Sequence, residues 1–357
     1  MSRARPAVFL FIAAVVAACS AGPTASPVVS QAAIATVAQS VAPTPTEAPT
    51  PTATPSVDHQ LSELQDLDGF HEFPVGGDPD WQAISDDAVW VGNDSIQQIH
   101  RIDGASGELT SLDVGFGPCN GLAVGFDALW SADCFGQRLN RIGLQSQTVE
   151  GSVDTYFASG GEGLTAAGEG YVWLIGEPGQ LVAVDPASMQ IAATIAVSST
   201  ATSVAVGFGS AWVADPGGGT VSRVDPATMA VIATVDVGGA PRFLVAGEGA
   251  VWALNQVDGT VARIDPDSNQ VAATIAADSP GEGGCIATGA GSVWTTTFDH
   301  PVTRIDATTN EVLLQFSGGQ GGDCIDVGFG SVWLSNLRTG TIWQLPLDGL
   351  DALAGGS

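Results

Sequence analysis

Short apolar runs alternate with glycine-rich and Asx-containing turns along most of this chain, and the alternation repeats. Trp90, Trp130, Trp173, Trp212, Trp252, Trp294 and Trp333 are spaced by 40, 43, 39, 40, 42 and 39 residues. Each closes the same phrase, as in Val206-Gly207-Phe208-Gly209-Ser210-Ala211-Trp212-Val213 and Val327-Gly328-Phe329-Gly330-Ser331-Val332-Trp333-Leu334. The phrase reads as strand, tight turn, strand, because its glycines tolerate the positive φ that hairpin turns demand. A third strand follows, such as Thr220-Val221-Ser222-Arg223-Val224-Asp225, then an Asp-Pro turn at Asp185-Pro186, Asp225-Pro226 or Asp265-Pro266. A fourth strand of the Val231-Ile232-Ala233-Thr234-Val235 kind completes the unit. Four short antiparallel strands per period of about 40 residues make a propeller blade. Seven such periods predict an all-β, seven-bladed β-propeller.

The ends of the repeat predict how the ring closes. After Trp333 a third strand is legible at Thr341–Leu345, but no fourth strand follows it. Before Trp90 a spare strand is legible at Phe70–Val75. The spare strand is expected to complete the last blade, which removes two open sheet edges. The propeller is thereby placed at residues 58–347, with 348–357 as a tail.

The first 57 residues follow different rules. Arg3 and Arg5 precede an uncharged apolar run from Ala7 to Ala18, too short to span a bilayer and suited to a secretory signal. The run ends Val16-Ala17-Ala18-Cys19, which resembles a bacterial lipobox and implies cleavage before Cys19 and lipidation of its thiol. The alternative is an ordinary small-residue cleavage site beside an incidental cysteine. Residues 19–57 are rich in Ala, Pro, Thr and Ser, a composition that buries no core and favours extended polyproline II. At about 3.1 Å per residue such a spacer reaches on the order of 100 Å, and its threonines leave room for O-glycans. The expectation is an exported protein, lipid-anchored at the outer face of the cytoplasmic membrane and displayed at the cell surface.

Charge narrows the partners. The chain carries 38 acidic residues and ten basic ones, all arginine. Losing Arg3 and Arg5 with the signal leaves eight against 38, a net charge of −30. So acidic a surface repels nucleic acid and anionic lipid. A monomer is expected.

The phrase Gly-x-Gly-Ser-x-Trp-Val, followed by Val-x-Arg-Ile-Asp-Pro, resembles the YVTN-type bacterial propeller repeats. It also resembles the streptogramin (virginiamycin B) lyase group of seven-bladed propellers. The resemblance covers about residues 68–347 and speaks to fold, since one superfold hosts many activities. The lyase resemblance implies a general-base His ten residues before a late-blade Trp, a Glu two residues before that His, and a second acid four residues after the Trp to hold magnesium. The seven positions ten before each Trp are Asp80, Asn120, Gly163, Thr202, Arg242, Gly284 and Asp323, with no His among them. Glu282 faces Phe298 where an acid is required, and Glu177 has only Gly161 and Gly163 upstream. The acid–base pair and the magnesium ligands of that family are missing from their expected places.

Candidate chemistry is therefore sought where the repeat breaks its own symmetry. Asp78, Asp80, Asn120, Glu162, Arg242, Glu282 and Asp323 all fall just before the innermost strand of a blade, where the chain opens at the mouth of the central channel. Their carboxylates suit calcium or another hard divalent cation; the same acidic funnel with one Arg suits a cationic or mixed-charge ligand. The simple alternative is a set of solvated loop residues. Asn93, Asp133, Asp215, Asn255 and Asn336 recur three residues after the blade Trp and are expected in Asx turns. Arg101, Arg141, Arg223, Arg263 and Arg304 recur on the third strand and are expected to be structural. His59, His71, His100 and His300 share no metal-ligand spacing and are each expected to be solvated. The glycines precede no helix, and no G-x-S-x-G elbow is present, so phosphate cradles and serine nucleophiles are not indicated.

Four cysteines remain beyond Cys19, an even number that favours disulfides in an exported protein. Of three possible connectivities, Cys119–Cys134 with Cys285–Cys324 is expected. The first pair is placed directly opposite across one hairpin, and the second on the adjacent inner strands of two neighbouring blades. The leading functional expectation is a non-catalytic module that captures a small molecule, glycan or protein. The alternatives are a lyase-type enzyme with a metal-dependent site at the channel mouth, and a structural part of an envelope assembly.

Overall fold

The computed structural model describes residues 58–133, 135–156, 163, 165–318 and 322–355. These form seven antiparallel sheets arranged as a β-propeller, each with its first strand innermost. Blades 1 to 7 begin at Pro79, Pro118, Thr165, Ser203, Pro241, Cys285 and Gly322. The strand His71–Pro74 pairs antiparallel with Thr341–Pro346 and supplies the outermost strand of blade 7, as expected from the ends of the repeat. Trp343 Nε1 donates to Glu72 at 2.7 Å across this clasp, and Phe73 is buried against Trp333.

The repeated residues earn their places by packing. All seven blade tryptophans are essentially fully buried. Six of them donate from Nε1 to the carbonyl of the glycine five residues earlier, at 3.0–3.1 Å. Trp90 instead bonds Ser85 Oγ, which replaces that glycine in blade 1. The glycine also sets blade spacing. A Cβ on Gly125 would stand 2.8 Å from Ala167 in the next blade, and one on Gly328 would stand 2.9 Å from Ile84, where blade 7 meets blade 1. The following turns place two residues at positive φ, as at Phe208 and Gly209, the primed geometry that matches strand twist. The third-strand arginines lie over the tryptophans, with guanidinium carbons 4.8–6.0 Å from the ring centroids in blades 1, 2, 4, 5 and 6. The Asp-Pro turns are Asx turns: Asp185 Oδ1 accepts from the N–H groups of Ala187 and Ser188 at 2.8 and 3.0 Å. These bonds hold the Asp185 carboxyl below the usual range.

Several details depart from the sequence expectations. Residues Asp58–Gln60 add a fifth strand, in parallel, to the outer edge of blade 6, and a short helix at Leu61–Gln65 follows. Residues 348–355, in the segment expected as a tail, belong to a helix at Leu347–Gly355 whose Leu350 is fully buried. His100 is not solvated. It lies on the third strand of blade 1, 1% exposed, between Asn93 and Ser111, and burial pushes its pKa down to about 4. Third-strand side chains alternate between the two neighbouring blades, so a polar residue there can be enclosed. Cys285 and Cys324 are disulfide-bonded, Cα atoms 4.8 Å apart, and stitch blades 6 and 7. Cys119 is disulfide-bonded as well, and it stands opposite Ala132, not directly opposite position 134, because a bulge between Cys119 and Leu122 shifts the register. Cys134, Glu162 and Cys19 lie outside the described residues, and with Cys19 the whole signal and linker.

Candidate functional site: two chambers of the central channel

The channel mouth is built by bulges. The ladder between the first two strands slips between Pro79 and Gln82, between Cys119 and Leu122, between Pro241 and Phe243, and between Gly322 and Ile325. Asp80, Asn120, Arg242 and Asp323 fall inside these four slips. A bulge takes residues out of the pairing and re-aims their side chains. Blades 3, 4 and 6 have Gly163, Thr202 and Gly284 at the same position, and no slip is recorded in their first ladders. The repeat is broken in the backbone where it is broken in chemistry.

Asp80, Asn120, Arg242, Glu282 and Asp323 line one cavity of about 420 Å³, together with Trp81, Phe298 and Leu337. Five of the seven expected mouth residues thus converge. Asp78 does not join them: it is exposed, and its N–H is held by Asn93 Oδ1 at 2.9 Å and Ser95 Oγ at 3.0 Å. Asp80 and Asp323, on neighbouring blades 1 and 7, hydrogen bond through their carboxyl groups. Burial pushes the Asp323 carboxyl up, opposed by Asp80, by the Gly284 N–H at 3.3 Å and by the charge of Arg338. Arg338 lies over Phe298, 4.3 Å from the ring centroid, and Arg242 over Phe243 at 5.8 Å. Among the described residues no three His, Cys, Asp or Glu side chains stand close enough to share a metal ion.

The Asn/Asp ring stays structural. Asn93 is fully buried and holds blade 1 to its incoming segment, accepting from Asp78 N–H and donating to Gly76 O at 2.8 Å. Asp133 accepts from Gly136 N–H in an Asx turn, and Asn255 Nδ2 donates to Val237 O and Thr260 Oγ1.

Below the mouth the channel is crossed by aromatics. Trp81 of blade 1 and Phe243 of blade 5 occupy equivalent repeat positions and meet, centroids 6.0 Å apart. Gly163, at φ +67°, lies against the Trp81 ring. Beneath them a second chamber of about 300 Å³ is lined by Gln82, Thr165, Ser203, Leu244, Ile286 and Asp326, among others, with both cysteines of the disulfide at its wall. Arg338, Phe298, Trp81 and Asp326 were not singled out from the sequence as site residues. Asp326 carries a signal, because the other six blades hold Ala or Val at its position, whereas the Trp81 position varies from blade to blade. Arg338 and Phe298 come from loops that follow no period.

No family model matches the chain, so its YVTN-type resemblance rests on the repeat phrase. No curated protein matches it either. Solved structures do. A streptogramin B lyase structure aligns with 77% of this chain and 97% of its own, at TM-score 0.60 and 15% identity. The Pan2 WD40 domain of Neurospora crassa aligns over 76% of this chain and 90% of its own, at TM-score 0.57 and 12% identity. At such identities the likeness is one of fold.

Proposed function

We propose that this chain is a surface-displayed binding module whose channel mouth captures a small amphoteric ligand of amino-acid or short-peptide size. The observation that carries the reading is the convergence of Asp80, Glu282 and Asp323 with Arg242 on one cavity of about 420 Å³. Binding pockets of small molecules commonly span about 300–1,000 Å³. Carboxyl groups receive an ammonium group, guanidinium groups receive a carboxylate, and the faces of Trp81 and Phe298 receive the apolar part. Arg338, beside Asp323, adds a second guanidinium at the rim. The module is exported, tethered through a lipid on Cys19 and held off the membrane by the 19–57 spacer. Its action is capture without turnover, since the lyase His/Glu pattern is missing from the sequence.

The test is thermal unfolding of the full-length chain against the twenty free amino acids, a set of dipeptides, and calcium with and without chelator. A ligand that binds only the folded state raises the midpoint with concentration. A rise with an amphoteric probe, lost in Arg242→Ala, supports the reading. A rise with calcium alone makes the mouth a cation site, and turnover of any bound probe makes it an enzyme.

A further inference from the structure

The second chamber holds one residue that the repeat does not explain. In each blade the residue paired with the Trp sits on the innermost strand. These residues are Ala83, Ala123, Ala166, Ala205, Val245 and Ala287 in blades 1 to 6, and Asp326 in blade 7. Six small apolar side chains form a ring, and a carboxyl interrupts it. Asp326 borders both the 300 Å³ chamber and the adjoining cavity of about 270 Å³ that continues along Ala83, Ala123, Ala166 and Ala205. Asp326 has no counter-charge there: among the described lining residues of either cavity it is the one ionisable group. Its recorded bond is from the Val327 N–H, at 2.8 Å.

Three further polar side chains line the same chamber with hydrogen-bonding capacity unused. Gln82, Thr165 and Ser203 are 6%, 7% and 2% exposed. Gln82 Nε2 donates to Cys324 O at 2.8 Å, which fixes the amide against blade 7, while Gln82 Oε1, Thr165 Oγ1 and Ser203 Oγ have no partner among the described residues. Leaving such atoms unpaired is costly, and five of the other six blades put Leu, Val or Ile at the Gln82 position, the sixth holding Thr165 itself. A residue set that breaks a repeat against its own stability marks function more than architecture.

We propose that the chamber below Trp81 and Phe243 is a second binding site, for a small organic cation bearing N–H donors, with Asp326 as its counter-ion and Gln82 as a further acceptor. The walls suit an alkylammonium ion. Leu122, Val204, Leu244 and Ile286 contact the alkyl part, and the carboxylate receives the ammonium group. A protein of net charge −28 concentrates cations at such an opening. The site is distinct from the mouth, since the two share only Trp81 as a lining residue. Its position between the blades, partly withdrawn from water, also raises the Asp326 carboxyl to about 6. A cation that binds the ionised form therefore binds more weakly below pH 6.

The experiment is titration of the full-length chain with ethylammonium chloride at pH 7.5, followed by calorimetry and by NMR of the ethyl protons. Sodium chloride at equal ionic strength serves as the control. The expected result is saturable binding, weakened about tenfold or more in Asp326→Asn and kept in the mouth variant Glu282→Gln. The Asp326→Asn protein unfolds at a midpoint no lower than the parent, which separates lost binding from lost folding. No saturable binding by the parent chain, or binding unchanged in Asp326→Asn, overturns the proposal.

Discussion

Asp326→Asn should make the protein more stable, and by an amount that depends on pH. The substitution keeps the shape of the side chain and an oxygen to accept from Val327 N–H, and removes only the charge. Burial lifts the Asp326 carboxyl from its ordinary 3.8 to about 6. At about 1.4 kcal/mol per pH unit, ionising it in the folded state costs about 3 kcal/mol relative to the unfolded chain. Between those two values the folded protein binds more protons than the unfolded one. Stability therefore falls as pH rises from about 4 to 6 and stays lowered above that. Asn carries no such cost. Urea unfolding of both proteins at pH 4 and pH 7.5 should show near-equal stability at the lower pH, and a gain of about 3 kcal/mol for the variant at the higher. A variant that is less stable at pH 7.5, or a difference that does not change with pH, would refute the reasoning.

Other consequences follow from the same structure. His100 titrates the opposite way: held near 4 against an ordinary 6.5, it must take up a proton on unfolding, so stability falls as pH drops below 6.5. His100→Gln should flatten that limb of the pH–stability curve by about 2–3 kcal/mol at pH 4.5, read by urea unfolding. The Cys285–Cys324 bond spans 39 residues of sequence, and loop-closure entropy assigns it about 4 kcal/mol, to be checked as the loss on Cys285→Ser/Cys324→Ser. Phe73→Ala removes a buried ring from the clasp at a cost of about 3–5 kcal/mol, and hydrogen exchange should show the His71–Pro74 strand opening before the other blades.

Much of the fold was legible because each blade repeats the same packing problem. A Trp must be enclosed, its N–H must find an acceptor, and in six of the seven blades a glycine stands five residues upstream, close against the next blade. The clasp was legible because one strand was missing at one end and spare at the other. The added strand at Asp58–Gln60 was not, since three polar residues carry no alternation. The mouth was legible in part: polar residues ten before the Trp stood out, but that four of them ride on bulges is a property of backbone register. Asp78 misled, because it precedes an inner strand yet is tied outward by Asn93 and Ser95. His100 misled because enclosure between blades depends on which neighbour a third-strand side chain faces. Asp326 broke the repeat in plain view; its meaning came only with the register that pairs it to Trp333.

The account's central claim is that the channel mouth captures an amphoteric ligand, and isothermal titration tests it most directly. The full-length chain and its Arg242→Ala and Glu282→Gln variants would be titrated with the amino acid or dipeptide that most raises the unfolding midpoint. The account predicts one site per chain and a Kd weakened about tenfold or more by each substitution. The same Kd in all three proteins would contradict it, and so would no binding by any probe in the panel.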